Sequence, residues 1–150
     1  MQQFLYRKEG NQMEIKPYER SVYYYETDKM AIVHHSNYIR WFEEARVDFL
    51  KQIGLPFEKI EENGLLVPVL GVSARYLLPF RFGDVFQIQI AVTGFTGVKF
   101  SIAYEVWNKE TGKLHVTGTS DHGFVDDRMQ PVRLKRDYPF IYEAFRPFAK

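Results

Sequence analysis

Between Asn37 and Ile53 the chain holds a helical period, and beyond Gly64 it abandons that period for good. Tyr38, Trp41, Phe42, Ala45, Phe49, Leu50 and Ile53 recur at three- and four-residue steps, while Arg40, Glu43, Glu44, Asp48 and Lys51 fall largely on other faces. This spacing predicts a single amphipathic helix of about four to five turns. Ser36 or Asn37 can cap its start, and Gly54 followed by Pro56 ends it. Phe57 to Asn63 adds a short helical turn stopped by Gly64.

The pattern after Gly64 has period two. Leu65 to Leu78 is β-rich, and Gly83-Asp84 then makes a turn. Val85 to Thr93 sets Phe86, Ile88, Ile90 and Val92 against Gln87 and Gln89; Phe100 to Trp107 alternates in the same way. Lys113 to Val125 follows a Thr111-Gly112 turn signal and reads as a further strand. Tyr18 to Tyr25, β-prone and aromatic, predicts a first strand, and Ile141 to Phe145 a short C-terminal helix. Strands joined by such short turns pair antiparallel. One long helix and one antiparallel sheet make an α+β domain whose apolar sheet face covers the helix.

A chain of 150 residues buries a sufficient core as one domain, here expected over 13–150, with 1–12 a loose N-terminal extension. The 20 basic and 19 acidic residues nearly cancel, which argues against a broad field for nucleic acid. With no cysteine the chain has no disulfide framework, thiolate metal site or cysteine nucleophile, which fits the cytoplasm. No stretch approaches the roughly 18 apolar residues of a membrane span, so no membrane insertion is expected. The histidines do not suggest a metal site: His34 and His35 are adjacent, and His115 and His122, seven apart on one strand, are expected on opposite faces.

The residues leading into the helix are the most specific in the chain. The stretch YYYETDKMAIVHHSNYIRWFEEAR resembles the signature of the 4-hydroxybenzoyl-CoA thioesterase family, in the branch of bacterial acyl-CoA thioesterases that includes the Tol-Pal-associated enzyme. Asp28, Val33, His35, Asn37, Tyr38, Phe42, Ala45 and Arg46 carry the match, and the likeness extends over about residues 18–125. It implies a hotdog fold, an antiparallel sheet wrapped around one long central helix, and hydrolysis of an acyl-CoA to a carboxylic acid and free CoA. Ala31 departs from the pattern, which has glycine three residues after the acid. Either the loop keeps φ < 0 there or its pocket is narrower.

Thioester hydrolysis needs a group that attacks the acyl carbon or activates water, and donors for the charge on the carbonyl oxygen. By the resemblance, Asp28 is the catalytic carboxylate, as nucleophile or general base, and the backbone N–H at His35 is the oxyanion donor at a helix N-terminus. Away from that pattern an aspartate in a loop before a helix is a turn or cap residue. Val33, His34 and Tyr38 are expected along the substrate pocket, and Asn37 as helix cap or ligand contact. Lys99 and Arg128 are candidates for the nucleotide end, Arg128 beside Arg133 and Lys135. Glu43 and Glu44 read as solvated or paired helix charges, and Arg46 as the partner of a carboxylate supporting the loop.

The implied chemistry needs no cofactor, CoA being part of the substrate. The resemblance also implies a homodimer as the minimum unit, with a tetramer as a larger assembly and the site at the subunit boundary. Two other readings stand beside it: an acyl-thioester-binding hotdog protein without catalysis, and a hotdog dehydratase or hydratase.

Overall fold

The computed structural model describes the backbone of residues 5–8 and 11–148, with side chains from residue 14. Two short strands, β1 (Leu5–Lys8) and β2 (Asn11–Glu14), pair antiparallel. Of the residues expected as a loose extension, 1–4, 9 and 10 lie outside the described residues, and the others form this pair. Next come β3 (Tyr18–Ser21), α1 (Ser36–Gln52) and α2 (Phe57–Glu62). The long strands β4 (Val69–Tyr76), β5 (Val85–Phe95), β6 (Lys99–Asn108) and β7 (Leu114–Gly123) follow, then α3 (Leu134–Asp137) and α4 (Pro139–Phe145).

The main sheet has the order β3-β5-β6-β7-β4, and every neighbouring pair is antiparallel. β4 and β3 are therefore its two edges. α1 lies against the inner face, with Trp41, Phe42, Ala45, Phe49 and Leu50 essentially inaccessible. Trp41 stacks on Phe86 at 3.9 Å and Phe42 on Tyr104 at 4.4 Å between ring centroids. Fully buried side chains of this size each contribute about 1.5–3 kcal/mol through removal of apolar surface from water. A second aromatic group, Phe100, Phe124 and Phe145, fixes α4 to the far end of the sheet. Among the described residues no helix is long and apolar enough to cross a membrane.

Three local expectations change. The first strand ends at Ser21, because Tyr24–Glu26 turns into a 3₁₀ helix whose third residue, Glu26, accepts the Tyr23 N–H at 2.8 Å. The residue flanking α1 is His35, with no side-chain cap, and Ser36 is already helical. His115 and His122 are both buried, against Phe80 and Phe100 respectively, because a register shift between Val106 and Trp107 breaks the strict alternation of β7.

Candidate active site

Asp28 begins a tight reversal. Its N–H donates to the Ile32 carbonyl and its own carbonyl accepts the Ala31 N–H, both at 2.9 Å, and Thr27 bridges to Val33 across the base. One carboxylate oxygen, Oδ1, accepts the Met30 N–H at 2.7 Å, the Asx geometry that aspartate adopts readily. A turn of this kind closes with one residue in the left-handed region, a place that favours glycine. Ala31 occupies it at φ 64°. The expected alternative of a negative φ at this position is thus wrong: the hydrogen-bonded reversal requires the conformation whichever side chain is present.

The chain leaves the turn under tight constraint. The Val33 N–H donates to Phe80 O at 2.9 Å, and the His34 N–H donates to Glu26 O at 2.8 Å. Asn37, buried, donates from Nδ2 to the carbonyls of Glu26 and His34 at 3.0 and 3.2 Å. Its side chain is a donor that braces the loop, and among the described residues it accepts no helix N–H as a cap would. Ser36 N–H is directed at His34 Nδ1 at 3.2 Å. The His35 N–H, by contrast, has no acceptor among the described residues.

Asp28, Val33, His35 and Tyr38 converge on one cleft of about 420 Å³, completed by Met30, Ile32 and the run Tyr76 to Pro79 from the end of β4. That size suits a small organic group rather than a single water. Asp28 is half-buried and His35 exposed at the rim. Tyr38 stands 5.2 Å from Tyr76 between ring centroids, and burial pushes its phenol up to about 12, so it stays protonated through neutral pH. The wall is apolar apart from these groups.

The remaining candidates lie elsewhere. His34 points to the surface, its ring tilted against that of His35 at 4.3 Å between centroids and bonded to Ser36 Oγ at 2.9 Å. Lys99, exposed, opens β6 opposite Gly123, whereas the cleft adjoins Tyr76, opposite Val116, itself opposite Val106. Seven residues of strand separate these levels, roughly 23 Å at the usual rise. Arg128, exposed in the turn held by Asp126, belongs to that same far end, since the bridges of Val125 to Leu66 and Pro131 flank it. Within one chain the sheet therefore does not bring Lys99 or Arg128 to Asp28.

Arg46 pairs with no carboxylate among the described residues. Its buried guanidinium donates to Tyr104 Oη at 3.3 Å, and that hydroxyl continues through Ser120 Oγ (2.6 Å) to His122 Nε2 (2.7 Å). The reason is helical phase: Arg46, one turn beyond Phe42, faces the sheet. Glu44 is paired, as one of the two alternatives allowed; it accepts from Tyr18 and Arg20 at 2.8 and 2.7 Å. The residues that sequence reasoning missed are Tyr76 to Pro79 and Glu26. An apolar run that breaks alternation before Pro79 was the available signal for the first; the second had none beyond its place in the motif. Among the described residues no cluster of His, Asp and Glu could hold a metal.

Residues 22–145 match the thioesterase-like superfamily. The candidate acyl-CoA thioesterase YneP of Bacillus subtilis is 30% identical over 139 residues, covering 92% of this chain and 100% of YneP. The 1,4-dihydroxy-2-naphthoyl-CoA hydrolase of Thermosynechococcus vestitus is 27% identical over 110 residues, 73% of this chain and 75% of that one. Among solved structures, the DHNA-CoA thioesterase from Staphylococcus aureus superposes with a TM-score of 0.83 at 29% identity, over 87% of this chain and 88% of its own. The β3-β5-β6-β7-β4 sheet around α1 thus has its counterpart in a solved thioesterase, and the family match runs from just after β3 to the end of α4; this chain belongs to the thioesterase-like superfamily and has its hotdog fold.

Proposed function

We propose that this protein is an acyl-CoA thioesterase of the 4-hydroxybenzoyl-CoA thioesterase branch, acting on cytoplasmic CoA esters. The observation that carries the reading is that Asp28 and His35, whose N–H has no acceptor among the described residues, both line one largely apolar cleft. The acyl group enters between Val33, Tyr38 and the Tyr76 to Pro79 wall, its carbonyl oxygen toward the His35 N–H. Asp28 then attacks the carbonyl carbon or takes a proton from the water that does. Negative charge grows on the carbonyl oxygen, where the backbone donor and the dipole of α1 stabilise it. The C–S bond breaks, CoA leaves as the thiol, and water supplies the oxygen of the acid. No cofactor enters this scheme.

The reading includes a homodimer. β4 is a sheet edge whose Val69, Leu70, Val72 and Tyr76, with the adjoining Leu77, are all at least 42% exposed, an apolar edge that a lone chain does not cover. Two β4 strands paired antiparallel about a twofold axis bring the Tyr76 end of one beside the Val69 end of the other. The far-end Lys99 and Arg128 of the second copy then approach the cleft of the first, where CoA phosphates need cations.

A thiol-release assay over short, medium, long and aromatic acyl-CoA esters tests the reading, with Asp28→Asn as the control. We expect turnover on at least one class and a loss of about 100-fold or more in Asp28→Asn. Parental turnover in that variant, or tight CoA-ester binding with no thiol released by the parent protein, would sink it.

A further inference from the structure

Glu26 is a buried carboxylate that the scheme above does not use, 3% exposed and only two residues from Asp28. Its two oxygens accept four hydrogen bonds. Arg20 donates to both, at 2.9 and 2.8 Å, the Tyr23 N–H donates to Oε1 at 2.8 Å, and the Trp41 indole N–H donates to Oε2 at 2.7 Å. Its backbone carbonyl accepts two more, from the His34 N–H and from Asn37 Nδ2. One residue therefore joins β3 through Arg20, α1 through Trp41 and Asn37, and both arms of the turn that carries Asp28.

This placement has a geometric consequence. Because Glu26 O takes the N–H of His34 and His34 Nδ1 takes that of Ser36, the His35 N–H between them is left without an acceptor among the described residues at the start of α1. Asp28 follows Glu26 by two residues on the other arm. We propose that Glu26, held by Arg20, is a positioning residue that sets the separation between the Asp28 carboxylate and the His35 N–H. The inference rests on the thioesterase reading of that site. Glu26 touches no reacting atom and acts only through those two groups.

A glutamine at this position keeps the shape of the side chain. It replaces one acceptor oxygen by an NH₂ group that faces donors from Arg20 and Tyr23 or Trp41, so the clamp loosens without opening a cavity. A displacement of about 1 Å between reacting groups lowers turnover by on the order of 100-fold.

The test measures kcat, KM and thermal melting for the parent, Glu26→Gln, Asp28→Asn and the double variant. In Glu26→Gln we expect kcat to fall about 10- to 100-fold with KM within about threefold of the parent, in protein that is folded at the assay temperature. The double variant should be no slower than Asp28→Asn alone. A kcat that merely follows the folded fraction, or full multiplicative losses in the double variant, overturns the proposal. Should Glu26→Gln not fold, Arg20→Lys takes its place, keeping the charge but losing the fork; a lower kcat at unchanged KM supports the proposal and a parental kcat overturns it. The two levels separate cleanly. Parental turnover in Asp28→Asn refutes the site itself, whereas an inactive Asp28→Asn beside a fully active Glu26→Gln removes only the role of Glu26.

Discussion

Ala31 sits at φ 64° in the turn after Asp28, where a Cβ crowds the following carbonyl. The left-handed conformation costs an L-residue about 1–2 kcal/mol, and glycine gives back about 0.5–1 kcal/mol of that as lost unfolded-state freedom. Ala31→Gly should therefore stabilise the fold by about 0.5–1 kcal/mol, a rise of roughly 1–4 °C in a thermal melt of a chain this size; an unchanged or lower Tm contradicts it. His122 supplies a second residue-level effect. Burial, and then the Arg46 charge, bring its imidazole down to about 4, with Asp121 opposing. The unfolded chain takes up this proton near 6.5 and the folded chain only near 4. Stability is thus complete above about 6.5 and declines as pH falls through that window, by about 3 kcal/mol. His115 is lowered in the same sense, first by burial. Denaturation of His122→Gln at several pH values should show a shallower acid-side slope than the parent, and an identical slope would refute the assignment.

At the scale of elements, the seat of α1 on the sheet is set by Gly118 in β7. A Cβ there would overlap the Phe42 ring and stand 2.8 Å from Ser73 O on the neighbouring β4. Neither has room to retreat, since Phe42 is stacked on Tyr104 and Ser73 is paired with Thr119 in the ladder. Gly118→Ala should cost about 1–3 kcal/mol by overpacking. Because the displaced elements, α1 and β4, are the two walls of the cleft, turnover should fall along with Tm. A parental Tm, read by calorimetry, would show that the helix has more freedom than this contact implies.

For the whole molecule the decisive measurement is mass in solution. Sedimentation at assay concentration should give about twice the 17.8 kDa of one chain, or a multiple of that dimer. Lysines at Leu70 and Val72 place charge on the β4 edge, and the paired variant Leu70→Lys, Val72→Lys should sediment as a monomer with CoA-ester turnover reduced about tenfold or more. A fully active monomer would remove the second copy, and with it Lys99 and Arg128, from the site.

Residue order alone determined one long helix over about Asn37 to Ile53, the four long strands and the acid before the helix. Each follows from a local period or a short motif, and local periods survive in one dimension. The helix fell one residue earlier than the caps implied, and Tyr24–Glu26 turned out of the first strand, because the hydrogen bonds between Tyr23 and Glu26 outweighed the β preference of the tyrosines. Only the tertiary structure brought Tyr76 to Pro79 against Asp28, separated Lys99 from it and aimed Arg46 at Tyr104. Those relations depend on sheet order and helix phase, which arise when distant segments pack, and no spacing along the chain records them.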